Sequence, residues 1–262
     1  MNLPKEKLLK SCKNPDEITI LLNQAERVLQ TWQSSWSEFI SAPVREEAIQ
    51  IMAPLNEIIW HTEGGHPSAE RQRMLCMRKE NEFDASKEVL PVHGLIIEGN
   101  FLFEKASSQD FRNSLEAIGL NSGELGDIWI AGDRGAQVIC TPNGAITLDQ
   151  KTGLVRGTQI YCEAVSLDQL SLPPQRKIKR LHTVEASKRI DSIASAGFGV
   201  SRSKIVNHIK QKNLRVNWKQ INQASLEISV GDRIQLTGKG TVEVLSIELT
   251  KRQRWRVELL RH

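Results

Sequence analysis

The spacing of apolar residues changes along this chain, and the change predicts where one kind of structure gives way to another. Up to about residue 82, apolar side chains recur at three- and four-residue steps, which is typical of amphipathic helices: Ile18, Leu21, Leu22, Ala25, Val28, Leu29 and Trp32. Asn14 and Pro15 mark one helix start, Pro43 opens a second helix, and a third is predicted to be capped near Ser68. We therefore expect a helical domain over residues 1–90.

Between residues 91 and 170 the pattern shifts to short apolar or alternating runs separated by turns. "VHGLIIEG", "GDIWIAG", "AQVIC" and "TQIYCEAVSL" predict strands, whereas "SQDFRNSLEAIGL" and "TPNGAITLDQKTG" predict helices. The order β-α-β-β-α-β is that of a ferredoxin-like unit, the topology of the RNA-recognition (RRM) domain. The predicted central strands lack the aromatic residues on which RRMs stack bases, so we interpret this domain as a scaffold or protein-binding platform.

Residues 171–184, "SLPPQRKIKRLHTV", predict a basic linker stiffened by its paired prolines. A solvated linker and an arm that contacts phosphates both fit this composition. Residues 185–262 then alternate between two short helices and several strands, with glycine turns between them. The expected fold class is α+β, with a helical amino-terminal part, a ferredoxin-like or RRM-like middle domain and a small carboxy-terminal α+β domain.

Charge is distributed unevenly along the chain, and this bears on what it binds. The formal net charge is +4, but residues 176–262 hold 19 lysines and arginines against 7 acidic residues, a net charge of +12. The remainder holds 16 against 24, a net charge of −8. A basic domain joined to an acidic body indicates that one end meets a polyanion. Charge alone does not name that polyanion, because attraction to phosphates is largely independent of sequence.

The run "SAGFGVSRSKIVNHIKQKNLRVNWKQ", residues 195–220, holds many cations and no acidic residue. On a helical wheel the aliphatic residues of 201–211 share one side and polar residues another: Ile205, Val206 and Ile209 against Lys204, His208 and Gln211. Alternation along the next strand places three polar residues on one face: Arg215, Asn217 and Lys219. Helix and strand together predict a surface for a polyanion; the alternative is a basic helix that is merely solvated.

The wider segment "SKRIDSIASAGFGVSRSKIVNHIKQKNLRVNWKQINQASLEISVGDRIQL" resembles the RNA-binding domain named after ribosomal small-subunit protein four, the S4 domain. The matching motif residues, in order, are Arg189, Asp191, Ser201, Arg202, Ser203, Val216, Asn217, Lys219, Gly231, Asp232 and Ile234. Trp218 and Asn213 depart from the family pattern, each where glycine is usual. Trp218 argues against a standard tight turn and adds a stacking surface, whereas Asn213 tolerates the left-handed conformation that its site would need.

This resemblance implies that the domain binds structured RNA, typically ribosomal or transfer RNA, through its two-helix face. The residues expected to contact RNA are Arg189, Ser201, Arg202, Ser203, Lys204, His208, Lys210, Lys212, Arg215, Asn217, Trp218 and Lys219.

Three further segments, "SEFISAPVREEAIQIM", "EGGHPSAERQRM" and "LGDIWI", are similar to the YlmH-type family, so that the resemblance covers nearly the whole chain. The phrase "ASAGFGVSRSKI…LRVNWK" is similar to its photosynthetic branch, the photosystem II S4-domain proteins of cyanobacteria and plastids. Where YlmH-like members tend to read T-H-R-D-F-L-G, this chain reads "SSQDFRNSL" and keeps only Asp110 and Phe111. The resemblance implies a role near the ribosome, in translation quality control, or in photosystem II biogenesis or repair.

Other segments hold residue types that are common at binding or catalytic sites. The segment "GGHPSAERQR" offers a secondary site at Glu70, Arg71 and Arg73. Two interpretations fit it: a site that binds phosphate or a partner protein, or a loop and helix cap with an internal ion pair. Asp191 in "RID" superficially matches a catalytic motif, but a salt bridge at the helix start fits its position better. The four cysteines are far apart in sequence and form no C-x-x-C pair, so we expect no metal site and no redox chemistry. No dinucleotide-binding or P-loop motif is present.

We therefore predict a non-catalytic RNA-binding protein, with no cofactor and no small-molecule substrate. Two alternatives remain: an assembly adaptor for photosystem II whose basic domain only localises it, and an RNA-modifying enzyme. No apolar run approaches the roughly 18 to 20 residues of a membrane span, and the start lacks the apolar core of a signal peptide. We expect a cytoplasmic protein, or a stromal one in a plastid, with peripheral thylakoid association as a further alternative.

Overall fold

The computed structural model describes residues 3–10, 12–81, 87–173 and 177–262. The chain divides into two compact units, Met1–Pro174 and Gln175–His262. Helices and antiparallel sheets occur in both units, which confirms the α+β class. Within the described ranges, no helix combines the length and apolar character that crossing a membrane requires.

The first part of the first unit packs three helices against a three-stranded sheet. The helices are α1 (Lys5–Leu9), α2 (Pro15–Thr31) and α3 (Ala42–Met52), and the strands are β1 (Ser35–Trp36), β2 (Ile58–Glu63) and β3 (Arg73–Arg78). The sheet order is β1-β3-β2. Helix α2 begins at Pro15, as predicted, and its aliphatic residues at three- and four-residue steps are buried. They pack toward β3 and α3.

The prediction of a helical domain over residues 1–90 is wrong for its second half. The expected third helix does not form: residues 64–71 make a loop and Arg73–Arg78 is the central strand of the sheet. Residues 73–77 are all buried, and a continuous buried run does not distinguish a strand from a helix by its spacing. Ile58 and Ile59, predicted as the end of the second helix, instead begin the strand Ile58–Glu63, and both favour strands.

The middle of the first unit follows the predicted order of elements, with one strand more. Its elements are β4 (His93–Gly99), α4 (Ser108–Ala117), β5 (Leu125–Ile130), β6 (Gly135–Cys140), α5 (Pro142–Leu148), β7 (Thr152–Val155) and β8 (Thr158–Val165). The sheet order is β5-β6-β4-β8-β7, where β7 is the strand that was not predicted. Asp110 closes a capping box with Ser107 at the start of α4, and Phe111 is buried against Phe101. The two residues kept from the YlmH-type pattern therefore support this helix.

The chain itself covers one face of this sheet and part of the other face. One face packs against α4 and α5. On the other face, Ile96, Trp129 and Ile139 cluster with Phe39, from the first part of the unit, and with Leu170. An RRM uses its open sheet face to stack bases. In this chain protein side chains occupy that region of the sheet.

The second unit packs two helices on a six-stranded antiparallel sheet. The helices are α6 (Ile190–Phe198) and α7 (Arg202–Lys210); the strands are β9 (Lys179–Glu185), β10 (Leu214–Val216), β11 (Lys219–Gln220), β12 (Arg233–Leu236), β13 (Gly240–Leu249) and β14 (Trp255–Arg261). The sheet order is β11-β10-β12-β13-β14-β9. One core of buried apolar residues joins both helices to the sheet. The predicted helices and the predicted strands β10, β12, β13 and β14 are confirmed.

Strand β9 was not predicted, because its residues were assigned to the linker over 171–184. It pairs with β14 along its whole length, from Lys179 opposite Arg261 to Glu185 opposite Trp255. β9 is an edge strand, and charged residues such as its exposed Lys179 and Arg180 are common on strands at sheet edges. That composition is what made the segment resemble a linker. Residues 174–176 of the predicted linker lie outside the described residues.

Candidate nucleic-acid interface

Helix α7 begins as predicted, with Ser201 at its N-cap. The Ser201 hydroxyl accepts a hydrogen bond from the backbone N–H of Lys204 at 3.4 Å and lies 3.1 Å from the hydroxyl of Ser203. Ser201, Arg202, Ser203 and Lys204 are all exposed. The first turn of α7 therefore presents hydroxyl and cationic groups to solvent.

The aliphatic side of α7 determines which of its other side chains reach solvent. Ile205 and Ile209 are buried, as predicted, while Lys204 and Lys210 are exposed. His208 is half-buried, and its Nδ1 atom finds no hydrogen-bond partner among the described residues. The helix thus exposes Lys204 and Lys210 to solvent, and the Nδ1 atom of His208 has no hydrogen-bond partner among the described residues.

Helix α7 ends in a Schellman motif. The N–H of Asn213 donates to the carbonyl of His208 at 2.9 Å, and that of Lys212 donates to the carbonyl of Ile209 at 3.0 Å. Lys212 adopts a φ of 59°. The expectation that Asn213 would take the left-handed conformation is wrong by one residue, because the C′ position of this motif falls on Lys212. A cation thus occupies a position where glycine is usual.

Two of the predicted RNA-contacting arginines bind one buried carboxylate. Arg202 Nη2 lies 2.8 Å from Asp191 Oδ2, and Arg189 Nε lies 3.1 Å from Asp191 Oδ1. The side chain of Asp191 is 6% exposed, whereas those of Arg189 and Arg202 are 43% and 51% exposed. Burial raises the pKa of Asp191, but the hydrogen bonds from Arg202 and Arg189 outweigh it and lower the pKa below its ordinary value.

Asp191 therefore joins the start of α6 to the start of α7 and fixes the directions of both guanidinium groups. The salt bridge that the sequence suggested at this helix start is present. Asp191 was not among the predicted contact residues, although the R-x-D pattern at a helix start was a signal for it. In this geometry it is a positioning residue for Arg189 and Arg202.

The hairpin of β10 and β11 keeps a tight turn despite Trp218. Val216 pairs with Lys219, so the turn consists of Asn217 and Trp218 alone, with φ values of 48° and 67°. A two-residue hairpin turn of type I′ requires positive φ at both positions. The same register places Arg215 opposite Gln220. Directly opposed residues share a face, so Arg215 and Lys219 lie on opposite faces, and the predicted single face of Arg215, Asn217 and Lys219 is wrong because the strand ends at Val216.

The side chain of Asn217 is engaged within the domain. Its amide donates to Asp232 Oδ1 at 2.7 Å, and its Oδ1 accepts from the backbone N–H of Arg233 at 2.9 Å. Asp232 also accepts from the N–H of Ser229 at 2.7 Å. Two motif residues, Asn217 and Asp232, thus hold the β10–β11 turn against the start of β12. Helix α7 packs against β10, so this turn belongs to the same region of the domain as α7.

The predicted secondary site has a different character. Arg71 donates to three backbone carbonyl groups at 2.8–2.9 Å, those of Phe39, Ser122 and Leu125. Arg73 donates to two more, those of Ser37 and Pro91. Burial, with the nearby Arg112, lowers the pKa of Arg71 to about 10. The N–H of Glu70 donates to Asp127. These contacts favour an internally anchored loop over a phosphate grip.

The cysteines and acids of the described residues form no metal cluster: no three His, Cys, Asp or Glu side chains there lie close enough to hold an ion. All four cysteines are free. Burial raises the pKa of Cys76 and of Cys140 to about 12, and that of Cys162 to about 11. These three thiols are therefore protonated at neutral pH, which makes them poor nucleophiles.

Comparison with known proteins gives matches at both ends of the chain. Residues 13–81 match the family model described as YlmH, N-terminal, and residues 188–234 match that of the S4 domain. The S4 match covers α6, α7, β10, β11 and the first two residues of β12, where the candidate interface lies. Residues 13–81 are thus similar to the amino-terminal region of YlmH and residues 188–234 to the S4 domain, in the order that the sequence resemblance implied.

Two whole proteins are also similar. The chain is 23% identical over 244 residues to a protein of Bacillus subtilis (strain 168) named ribosome-associated protein quality control protein P2, covering 88% of this chain and 93% of that protein. A solved structure, the cell division protein ylmH from Streptococcus pneumoniae, matches with 17% identity and a TM-score of 0.44, covering 61% of this chain and 94% of that one.

Proposed function

We propose that this chain is a non-catalytic RNA-binding protein that docks structured RNA through α7 and the adjoining β10–β11 turn. The observation that carries the proposal is the pair Arg189 and Arg202, held by the buried Asp191 beside a helix whose lysines are exposed. A guanidinium already held in place loses little freedom when it binds a phosphate. The expected mechanism is phosphate positioning combined with recognition of RNA shape.

The RNA we propose is ribosomal or transfer RNA, bound in association with the ribosome. Two findings support this choice: the S4 match over residues 188–234, and the name of the Bacillus subtilis relative, which assigns that protein to ribosome-associated quality control. We extend that setting to this chain, in the cytoplasm or the plastid stroma. A link to photosystem II biogenesis rests only on sequence similarity around residues 194–219 and stays a prediction.

We assign the middle domain of the first unit a scaffold role. An RRM-like domain would bind RNA on the sheet face opposite its helices. Phe39 and Leu170 pack on that face in this chain, against Ile96 and Ile139. RNA would have to displace this cluster to reach the part of the central strands around Ile96 and Ile139, so the S4 domain is the better candidate.

The test is RNA binding by a variant in which Lys204 and Lys210 are both replaced by glutamine. These residues are preferable to Arg202, whose removal would leave Asp191 with one partner fewer. On B-form DNA each phosphate contact contributes about 0.9 to the slope of log affinity against log salt concentration. With that value for folded RNA, losing one contact costs about eightfold at 0.1 M salt relative to 1 M. Losing two contacts should weaken binding about 60-fold, measured by fluorescence anisotropy with a transfer RNA transcript.

A matched control separates a specific face from net charge. Lys105 and Lys151 are exposed lysines of the first unit, and replacing both by glutamine changes the net charge equally. This control should bind like the unmodified chain. Equal affinities for the unmodified chain and the Lys204/Lys210 variant, with circular dichroism showing both folded, would remove α7 from the interface.

Crosslinking in cells followed by sequencing of the attached RNA would identify the target. Crosslinks concentrated on one element of a ribosomal or transfer RNA are the expected result. A signal spread in proportion to RNA abundance would show that the basic unit is only an electrostatic tether.

A second candidate function is that of an adaptor between proteins, and one observation favours it. On the loop after β4, Phe103 is 92% exposed and Leu102 is 59% exposed. Exposed apolar residues side by side are typical of protein contacts when they form part of a patch. A co-purifying protein that survives nuclease treatment and is lost on Phe103→Ser substitution would support the adaptor. Loss of every partner after nuclease treatment would exclude it.

A further inference from the structure

A second group of exposed cations lies at the tip of the β13–β14 hairpin, outside the S4 match and outside the residues predicted from sequence. The group consists of Lys251, Arg252, Arg254 and Arg256. Over the parts of the chain that the structure describes, none of the four lies within 4.0 Å of a carboxylate oxygen. Residues 248–256 hold one acidic residue, Glu248, so the tip carries a local excess of positive charge.

The tip is a closed turn that holds these cations in place. The N–H of Thr250 donates to the carbonyl of Arg254 at 2.7 Å, and the N–H of Gln253 donates to the carbonyl of Thr250 at 2.9 Å. The hydroxyl of Thr250 accepts from the N–H of Arg254 at 3.1 Å. Gln253 takes a φ of 54°, as the third residue of a three-residue hairpin loop commonly does. Strand pairing continues up to Leu249 opposite Trp255. The side chains of these cations are therefore attached to an ordered backbone.

The end of this hairpin next to the tip is connected to the group formed by Asp191, Arg189 and Arg202. The Lys188 ammonium lies 5.1 Å from the ring centre of Trp255, and Lys188 directly precedes Arg189. Trp255 pairs with Glu185, which accepts a hydrogen bond from the Ser192 hydroxyl at 2.5 Å. One series of contacts thus leads from the hairpin through the start of α6 to the two arginines. The cations at the tip can therefore extend the positively charged surface to which those two arginines belong.

The same cations line an open groove of about 800 Å³ beside Val184 of β9, and its lining also holds Glu248, which pairs with Arg256 across β13 and β14. Its apolar walls include Val184 and Leu249, which are 52% and 59% exposed. A nucleic-acid backbone alternates phosphates with sugars, so it suits a groove that combines cations with aliphatic carbon.

We infer that this groove binds a second segment of the sugar–phosphate backbone of the RNA that α7 docks. The inference rests on the proposed function and extends it, because it makes the ligand an RNA with two backbone segments within reach of one domain. A folded RNA provides such segments, whereas a short single strand does not.

The test compares two double variants, the hairpin variant Arg252→Gln/Arg254→Gln and the α7 variant Lys204→Gln/Lys210→Gln, with Lys105→Gln/Lys151→Gln as the charge control. Affinity for a transfer RNA transcript is measured from 0.05 to 0.5 M salt. The hairpin variant should lower the magnitude of the salt slope by about 1.8 and the affinity at 0.1 M salt by about 60-fold, as expected for two lost phosphate contacts. The same two substitutions should change the affinity for a ten-nucleotide single strand only slightly.

The outcomes separate the inference from the proposed function. If the α7 variant weakens binding and the hairpin variant changes neither affinity nor slope, the second segment is refuted and the proposed function stands. If the unmodified chain does not bind RNA, both fail. If the hairpin variant loses affinity for vesicles containing phosphatidylglycerol and keeps its affinity for RNA, the groove serves an anionic membrane and the inference is overturned.

Discussion

Replacing Lys212 by glycine should stabilise the carboxy-terminal unit and weaken its binding to RNA. Lys212 is exposed, with a φ of 59°, at the C′ position of α7. A side chain in the left-handed region costs about 1–2 kcal/mol, and the extra freedom of glycine in the unfolded chain offsets about 0.5–1 kcal/mol of that. The net gain is about 0.5–1 kcal/mol. If Lys212 contacts one phosphate, affinity should fall about eightfold at 0.1 M salt.

A second substitution, Lys212→Ala, separates backbone strain from charge. It removes the same cation and keeps a side chain in the left-handed region, so RNA binding should weaken equally without a gain in stability. Hydrogen exchange of peptides covering residues 202–216 reports the local free energy of opening, and fluorescence anisotropy reports the affinity. Equal opening free energies in the two variants would refute the argument from φ. Unchanged affinity in both would show that Lys212 does not contact RNA.

Three further predictions concern stability and reactivity. Asp191→Asn should lower the free energy of unfolding of the second unit by about 1–2 kcal/mol, because hydrogen bonds from two half-exposed arginines weaken. Folding lowers the pKa of Asp191 from 3.8, so its contribution to the free energy of unfolding is present above that pH and is lost as the pH falls through the folded-state pKa. The urea midpoints of the variant and the unmodified chain should therefore converge below about pH 4. Arg71→Lys should destabilise the first unit by about 2–3 kcal/mol in urea, since an ammonium cannot reach three carbonyl groups, and an unchanged midpoint would contradict this. A thiol reagent at pH 8 should modify only Cys12 in the folded chain and all four cysteines in urea; a second thiol reacting before unfolding would contradict the burial argument.

The sequence predicted those elements whose apolar residues repeat with one clear period. Ile205 and Ile209 lie one turn apart between charged neighbours, and α7 forms there with the predicted cap. Strand β3 was missed for the opposite reason. Its residues 73–77 are buried on both sides, so no polar face marks the period. Tertiary packing of β3 between β1 and β2 then determines its conformation.

Positions of unusual backbone conformation were harder to predict from sequence. Glycine is the residue that signals positive φ, but Lys212 and Trp218 take these positions here. The location of the left-handed residue after α7 depends on where the helix ends, and that end was uncertain by one residue. The turn at Trp218 depends on the pairing of Val216 with Lys219, which strand alternation alone did not reveal.

The candidate interface shows why a sequence motif does not separate binding residues from supporting ones. Asp191, Asn217 and Asp232 all belong to the S4 pattern, and each forms hydrogen bonds within the domain. Lys204 and Lys210 do not belong to the matched motif residues, yet they are exposed on the same helix. A motif contains residues of both kinds when binding depends on the conformation of the backbone. Losing a residue that holds this conformation impairs the binding surface, as does losing a cation that contacts the RNA. Hydrogen-bond partners separate the two kinds: substitutions at Asp191 or Asn217 should alter stability, whereas those at Lys204 and Lys210 should alter the salt dependence of RNA binding.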